Sequence, residues 1–203
     1  MPKTIGAVIF PGFELLDLFG PLEMFGMLED APVIRMVAAT MDPVASRQGP
    51  LSVVDQAFAD GAAFDLLLVP GGPGTRPGVE DETLIGWLGE ASDASALVTT
   101  VCTGSALLAR TGRLDGVAAT SNKAAFKWVM EQGPKVDWKA EARWVEDGKF
   151  MTSSGVSAGM DMALAAVQNL YGTEEAERVA TRTEYDWKRD ASWDPFAKVH
   201  GLV

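Results

Sequence analysis

The sequence predicts an α/β fold built on a mostly parallel sheet, and three observations predict it. Short apolar runs at residues 5–10, 33–39, 66–69 and 96–101 alternate with amphipathic segments long enough to be helices. Those runs are apolar at nearly every position instead of every second one, as strands covered on both faces are. Most of them also stop at turn formers, Pro11-Gly12 and Pro70-Gly71-Gly72-Pro73-Gly74 being the plainest. At 203 residues the chain suits one domain spanning 1–203, with no repeat, low-complexity tract or linker to divide it.

Each element follows in turn. The run at 5–10 reads as a buried first strand, and Gly20-Pro21 opens a helix through about residue 28, with proline early in the helix where its missing N–H is harmless. Residues 33–39 form the second strand, and 51–54, after Gly49-Pro50, a short strand or hairpin arm. After the strand at 66–69, residues 81–94 make an amphipathic helix with Leu84, Ile85 and Leu88 on its apolar face. The strand at 96–101 breaks at Cys102 into a helix ending near Thr111-Gly112, followed by a short strand at 117–120 and a helix at 124–130. Trp144-Val145 and residues 150–152 flank Glu146-Asp147-Gly148-Lys149, a hairpin signal of the Asp-Gly kind. Residues 157–171 carry Met160, Ala163, Leu164, Val167 and Leu170 on one face, and 174–184 continue as helix. From about 185 the tail is polar, aromatic and irregular.

Composition excludes several classes of function. Hydrophobic content of 47% with 22% charged residues fits a soluble globular protein. A net charge of −11 opposes nucleic-acid binding, which requires neutralising phosphates. One cysteine and one histidine, His200, leave no internal disulfide and no His/Cys zinc site. No apolar stretch approaches transmembrane length, and Met1-Pro2-Lys3-Thr4 does not read as a signal peptide, so a cytoplasmic protein with a reduced thiol is expected. Neither a phosphate-loop lysine nor a GxGxxG string is present, and no metal or organic cofactor is expected.

Three unusual segments follow strand ends, where ligands of open α/β sheets gather. They are residues 10–21, residues 70–74, and Val101-Cys102-Thr103-Gly104-Ser105. Cys102 sits at a strand-to-helix turn, whose N–H groups favour a thiolate; the alternative is a buried core cysteine. Asp17 lies between Leu16 and Leu18, where burial would raise its pKa and make it a proton donor or acceptor. Glu14 could serve instead, and spacing does not separate the two. A thiolate beside Asp17 would push the carboxyl toward its neutral form, so that the pair shares a proton. Gly71 and Gly72 could aim their amides at developing negative charge, together with the amide of Thr103, or simply form a tight turn. Ser153, Ser154 and Ser157, around Gly155, either line the pocket or cap the following helix. His200 would reach the site only if the tail folded back over it.

Together Phe10-Pro11, Asp17-Leu18-Phe19-Gly20-Pro21, Val69-Pro70-Gly71-Gly72, Val101-Cys102-Thr103-Gly104-Ser105 and residues 154–161 resemble the DJ-1/PfpI superfamily. The resemblance spans about residues 4–184 and implies a flavodoxin-like three-layer sandwich with the cysteine at a nucleophile elbow. Within it, the aspartate string and Cys-Thr-Gly-Ser look most like the isocyanide (isonitrile) hydratases, whose Cys, Asp and Thr match Cys102, Asp17 and Thr103. That implies addition of water to an isocyanide to give a formamide, with a small electrophilic substrate and a homodimer; the mechanism expected from these residues runs through a covalent thioimidate on Cys102, with Gly71 and Gly72 donating to the developing charge. Other members imply hydration or deglycation of aldehydes, or a cysteine that senses oxidants or electrophiles. One departure stands out: Thr120-Ser121-Asn122 replaces a histidine-bearing string of many relatives, and Asn122 cannot shuttle protons as imidazole does.

Overall fold

Leu66, Leu67, Leu68 and Val69 are wholly buried and lie in the middle of a seven-stranded sheet, with strands on both sides and helices above and below. The computed structural model describes residues 1–203. Its first half comprises β1 (Thr4–Val8), α1 (Leu15–Gly26), β2 (Val33–Ala38), β3 (Val44–Ala45), β4 (Leu51–Ser52), β5 (Gln56–Ala57), β6 (Leu66–Val69), α2 (Thr75–Gly78) and α3 (Glu82–Ala94). The second half comprises β7 (Leu97–Val101), α4 (Gly104–Arg110), β8 (Ala118–Ala119), α5 (Phe126–Gln132), β9 (Asp137–Trp138), β10 (Trp144–Asp147), β11 (Phe150–Ser153), α6 (Ala158–Tyr171), α7 (Thr173–Arg182) and α8 (Phe196–Val199).

The main sheet runs β10-β11-β7-β6-β1-β2-β5 and is parallel throughout except for β10, which returns antiparallel along β11. Leu67 is in register with Gly6 on one side and Val98 on the other. The Asp147-Gly148 turn joins β10 to β11, with Gly148 at φ +59 as such turns require. Residues 51–52 are indeed a hairpin arm, paired antiparallel with β3. Helices α1, α6 and α7 pack together as one layer, and α4 packs with α2, α3 and α5 as the other. The protein is therefore an α/β three-layer sandwich with a mostly parallel sheet, and most of its buried apolar side chains form one connected cluster of 47 residues. Burying each such leucine contributes roughly 2 kcal/mol, so this cluster is the main source of stability.

Two sequence expectations need correction. Helix α1 begins at Leu15, not at Gly20-Pro21, so Asp17 sits in its first turn and Pro21 lies inside the helix. Proline there withholds the helical hydrogen bond from the carbonyl of Asp17, and the buried face of Leu18, Leu22 and Phe25 compensates by packing. The tail is irregular in secondary structure, yet it is not peripheral. Trp187 and Asp194 are buried, and α8 forms a short turn near the end.

Because β1, β6, β7 and β11 are parallel neighbours, their carboxyl ends share one rim. The segments after them carry Phe13 and Glu14 with Asp17 in the first turn of α1, Gly71 and Gly72, Cys102, and Ser154 and Gly155.

Candidate active site

Strand β7 ends at Val101 and α4 begins at Gly104, leaving Cys102 in the connecting turn at φ +57. Left-handed backbone costs a non-glycine residue about 1–2 kcal/mol, and the surroundings hold it there. The Cys102 amide donates to the carbonyls of Ser153 and Ser154 at 3.2 and 3.3 Å, and its carbonyl accepts from the hydroxyls of Ser121 and Ser105 at 2.8 and 3.1 Å. The side chain faces a cavity of about 430 Å³ lined also by Glu14, Arg47, Arg76, Asn122 and Val156. A more apolar cavity of about 390 Å³, beside Phe10, Val44 and Leu84, contains none of these groups and lies apart from the chemistry.

Asp17 is completely buried. Its Oδ2 accepts from the Gly71 amide at 3.0 Å, while Oδ1 meets no hydrogen-bond donor of ordinary geometry. Burial pushes its pKa from 3.8 up to about 7, outweighing the Gly71 amide, which pulls it down; the charge of Glu14 raises it further and the Cys102 thiol lowers it. Close approach explains why residue 71 is glycine. A Cβ there would stand 2.6 Å from the Thr103 nitrogen and 2.9 Å from Asp17 Oδ2.

Cys102 is 6% exposed, and burial pushes its thiol well above the ordinary range, with the Asp17 charge adding to the shift. The amide of Thr103 and the side chain of Asn122 pull the other way without winning. Desolvation of the buried sulfur works against the pull of the turn's N–H groups toward a thiolate and is the larger of the two effects. What the arrangement creates is two acids each pushed toward its neutral form and coupled to the other. Asn122 is held in orientation because its Oδ1 accepts from the Ala125 amide at 2.9 Å. Sequence reading saw at Asn122 only a missing imidazole and overlooked a donor to sulfur.

Glu14 and Asp17 are now distinguishable. Glu14 is engaged by Arg47 Nη1 at 3.3 Å and by Gln48 Nε2, whereas Asp17 is fully buried and is the carboxyl coupled to the thiol. The oxyanion expectation for the two glycines needs revision. Gly71 N–H donates to Asp17, and Gly72 N–H donates to Thr103 Oγ1 at 3.0 Å. Both amides are committed to positioning those side chains. The Thr103 hydroxyl lies 3.0 Å from Thr75 Oγ1 within the same network, which leaves its amide as the Thr103 group facing the sulfur.

The tail does fold back. Phe196 and His200 line a second cavity of about 350 Å³ with Leu16, Ser154, Gly155 and Ser157, and it shares Asn122, Ala124 and Val156 with the cavity at Cys102. His200 itself does not border the Cys102 cavity, so no Cys–His pair forms. A Cβ on Gly155 would come within 3.1 Å of the Cys102 sulfur, which marks how narrowly the two cavities are separated. Ser157 stands at the N-cap of α6 but its side chain makes no capping bond; Ser153 and Ser154 act through their carbonyls on Cys102.

A buried ionic cluster that sequence reading missed secures the tail. Arg143 Nε and Nη2 reach Asp161 Oδ2 at 2.7 and 2.5 Å, and Nη1 stands 3.7 Å from Asp194. Asp161 Oδ1 accepts from the Tyr185 hydroxyl and the Lys188 amide, and the Arg143 amide donates to the Ala191 carbonyl at 2.7 Å. Lys123, 2% exposed, donates to Thr120 Oγ1 and the Ala142 carbonyl; burial lowers its pKa to about 8. No three His, Cys, Asp or Glu side chains converge to hold a metal ion.

Known proteins share this frame. The model of the DJ-1/PfpI family matches residues 3–169. Isonitrile hydratase of Pseudomonas putida is 35% identical over 187 residues, 91% of this chain and 79% of that protein. The HTH-type transcriptional regulator GbdR of Pseudomonas aeruginosa is 29% identical over 191 residues, 91% of this chain, which spans only 51% of the regulator. Among solved structures, a THiJ/PfpI family protein from Pseudomonas syringae superposes with a TM-score of 0.84 at 32% identity, covering 93% of this chain and 77% of that one. Drosophila melanogaster DJ-1beta, at 21% identity, covers 92% of this chain and all of its own with a TM-score of 0.78, a likeness of fold. By the family match and by the identity and coverage of these relatives, the chain belongs to the DJ-1/PfpI family.

Proposed function

We propose that the protein is a cysteine-dependent hydratase that adds water to an isocyanide, R–N≡C, to give the N-substituted formamide. The observation that carries this reading is the buried Asp17 carboxyl, with a pKa near 7, coupled to the Cys102 thiol. The terminal carbon of an isocyanide must receive a nucleophile and a proton on the same atom. A sulfur and a carboxyl side by side meet that requirement; an imidazole is not needed. The 35% identity to isonitrile hydratase supports the same chemistry.

Turnover starts from the ionised Asp17 carboxylate beside the protonated Cys102 thiol, the two coupled through one proton. As the proton moves onto Asp17, Cys102 sulfur attacks the terminal carbon, and Asp17 protonates that carbon, giving a neutral thioimidate, R–N=CH–S. Asp17, now a carboxylate, takes a proton from water while the oxygen adds to the carbon, then returns that proton to nitrogen. Collapse of the tetrahedral species passes the hydroxyl proton to Asp17, breaks the C–S bond and releases R–NH–CHO, and Asp17 then returns that proton to the Cys102 sulfur. One water is consumed and both side chains return to their starting state. The Thr103 amide and Asn122 stabilise negative charge on the departing sulfur.

The raised thiol pKa and the burial of Cys102 weigh against a peroxide sensor, which needs an exposed, low-pKa sulfur. Leu16 and Phe19 of α1, large apolar side chains 41% and 44% exposed, support assembly as a homodimer. The test of function is incubation with phenyl isocyanide and, separately, methylglyoxal. Formamide from the first, abolished in Cys102→Ala, is expected; brisk loss of methylglyoxal with no formamide overturns the proposal.

A further inference from the structure

Three charged side chains line the cavity that contains Cys102: Glu14, Arg47 and Arg76. Two of them cancel, because Arg47 Nη1 lies 3.3 Å from Glu14 Oε2. Arg76 has no such partner. Its guanidinium lies over the ring of Trp128, 3.6 Å from the centroid, and no carboxylate or other protein acceptor engages its N–H groups. Arg76 is exposed and is the one charged side chain lining this cavity that has no partner of opposite charge.

Stacking on tryptophan fixes the guanidinium plane and leaves its N–H edges free, arranged to meet both oxygens of a carboxylate. A neutral hydroxyl or amide on a ligand would satisfy only part of that fork. The cavity, about 430 Å³, has room for an aryl or short alkyl spacer. We propose that Arg76 binds a carboxylate on the substrate, so that the isocyanides taken by this site are carboxylate-bearing ones. The assignment of the isocyano group rests on the hydratase reading above; the anion site stands on Arg76 and Trp128.

The test compares phenyl isocyanide with 4-isocyanobenzoate in wild type and in Arg76→Met, with Arg182→Met at the end of α7 as a control away from the cavity. In wild type the ratio of kcat/KM, carboxylate over neutral, should be about three- to tenfold at low salt and shrink at high salt, as for a partly exposed charge pair. Arg76→Met should bring that ratio to about one, and Arg182→Met should leave it unchanged. Binding of the products, 4-formamidobenzoate against formanilide, is measured by calorimetry alongside, with the same ordering expected. Turnover of both isocyanides with no preference, and no Arg76-dependent product binding, overturns the anion site while leaving hydration intact. Arg76-dependent binding of 4-formamidobenzoate without any turnover upholds the anion site and removes the hydratase reading. Neither turnover nor Arg76-dependent binding overturns both.

Discussion

The Gly71 amide donates to Asp17 Oδ2 at 3.0 Å, bridging the loop after β6 to the first turn of α1. This bond orients the carboxyl that the proposed hydration requires beside Cys102, and a side chain on residue 71 would crowd it. Gly71→Ala would place a Cβ 2.6 Å from the Thr103 nitrogen and 2.9 Å from Asp17 Oδ2. The loop or the carboxyl must move. Formamide production by Gly71→Ala is expected to fall about 100-fold or more, since misplacement by about 1 Å costs that much, while circular dichroism stays that of the folded protein.

Asp17 also predicts a pH-dependent stability. Its folded pKa of about 7 lies above the unfolded 3.8, so the folded state binds the extra proton between those values. Stability from this group is complete below pH 3.8 and is lost as pH rises through about 7. Asn cannot ionise, so Asp17→Asn should be more stable than wild type at pH 8, by up to about 4 kcal/mol, with the gap narrowing toward acid pH. Urea denaturation of both proteins at pH 5 and pH 8 measures this. A gap independent of pH would mean that the carboxyl is not held neutral by burial.

The same substitution has a second, opposite-looking effect. The Asp17 charge raises the Cys102 pKa, so removing it should make the thiol easier to ionise. Alkylation of Cys102 by iodoacetamide at pH 8 is expected to be faster in Asp17→Asn than in wild type, even as turnover is lost. A slower reaction would mean that proton acceptance by Asp17, and not the repulsion of its charge, governs how readily the sulfur reacts.

How far these features were legible in sequence depends on their range. Apolar runs such as 66–69 and the break at Cys102 announced strands and the strand-to-helix turn, because backbone geometry there follows from a few adjacent residues. Gly20-Pro21 misled as a helix start, since the packing of Leu18, Leu22 and Phe25 holds a helix through a proline that local propensity would exclude. Glu14 and Asp17 could not be separated because Arg47 and Gln48, which engage Glu14, lie 33 and 34 residues away. The upward push on the Cys102 thiol was hidden for a related reason. Adjacent N–H groups are visible in sequence, whereas burial is a property of the assembled fold. The Arg143, Asp161 and Asp194 cluster leaves no periodic mark at all.

That cluster yields a stability prediction independent of catalysis. Asp161 is fully buried and joins Arg143 to Tyr185 and to the Lys188 amide. Asp161→Ala strands a buried guanidinium and should destabilise the fold by about 3–5 kcal/mol. It should also loosen the tail, so that limited proteolysis cuts after residue 185 faster than in wild type. Equal cleavage rates would show that apolar contacts such as Trp187 hold the tail alone.

If the thioimidate is real, it must be attached to one atom. Rapid acid quench of wild type with excess phenyl isocyanide, followed by intact-mass and peptide mapping, should find a gain of one isocyanide mass on Cys102, appearing before formamide and absent in Cys102→Ala. Formamide accumulating at the wild-type rate in Cys102→Ala, with no adduct on the sulfur, would contradict the account.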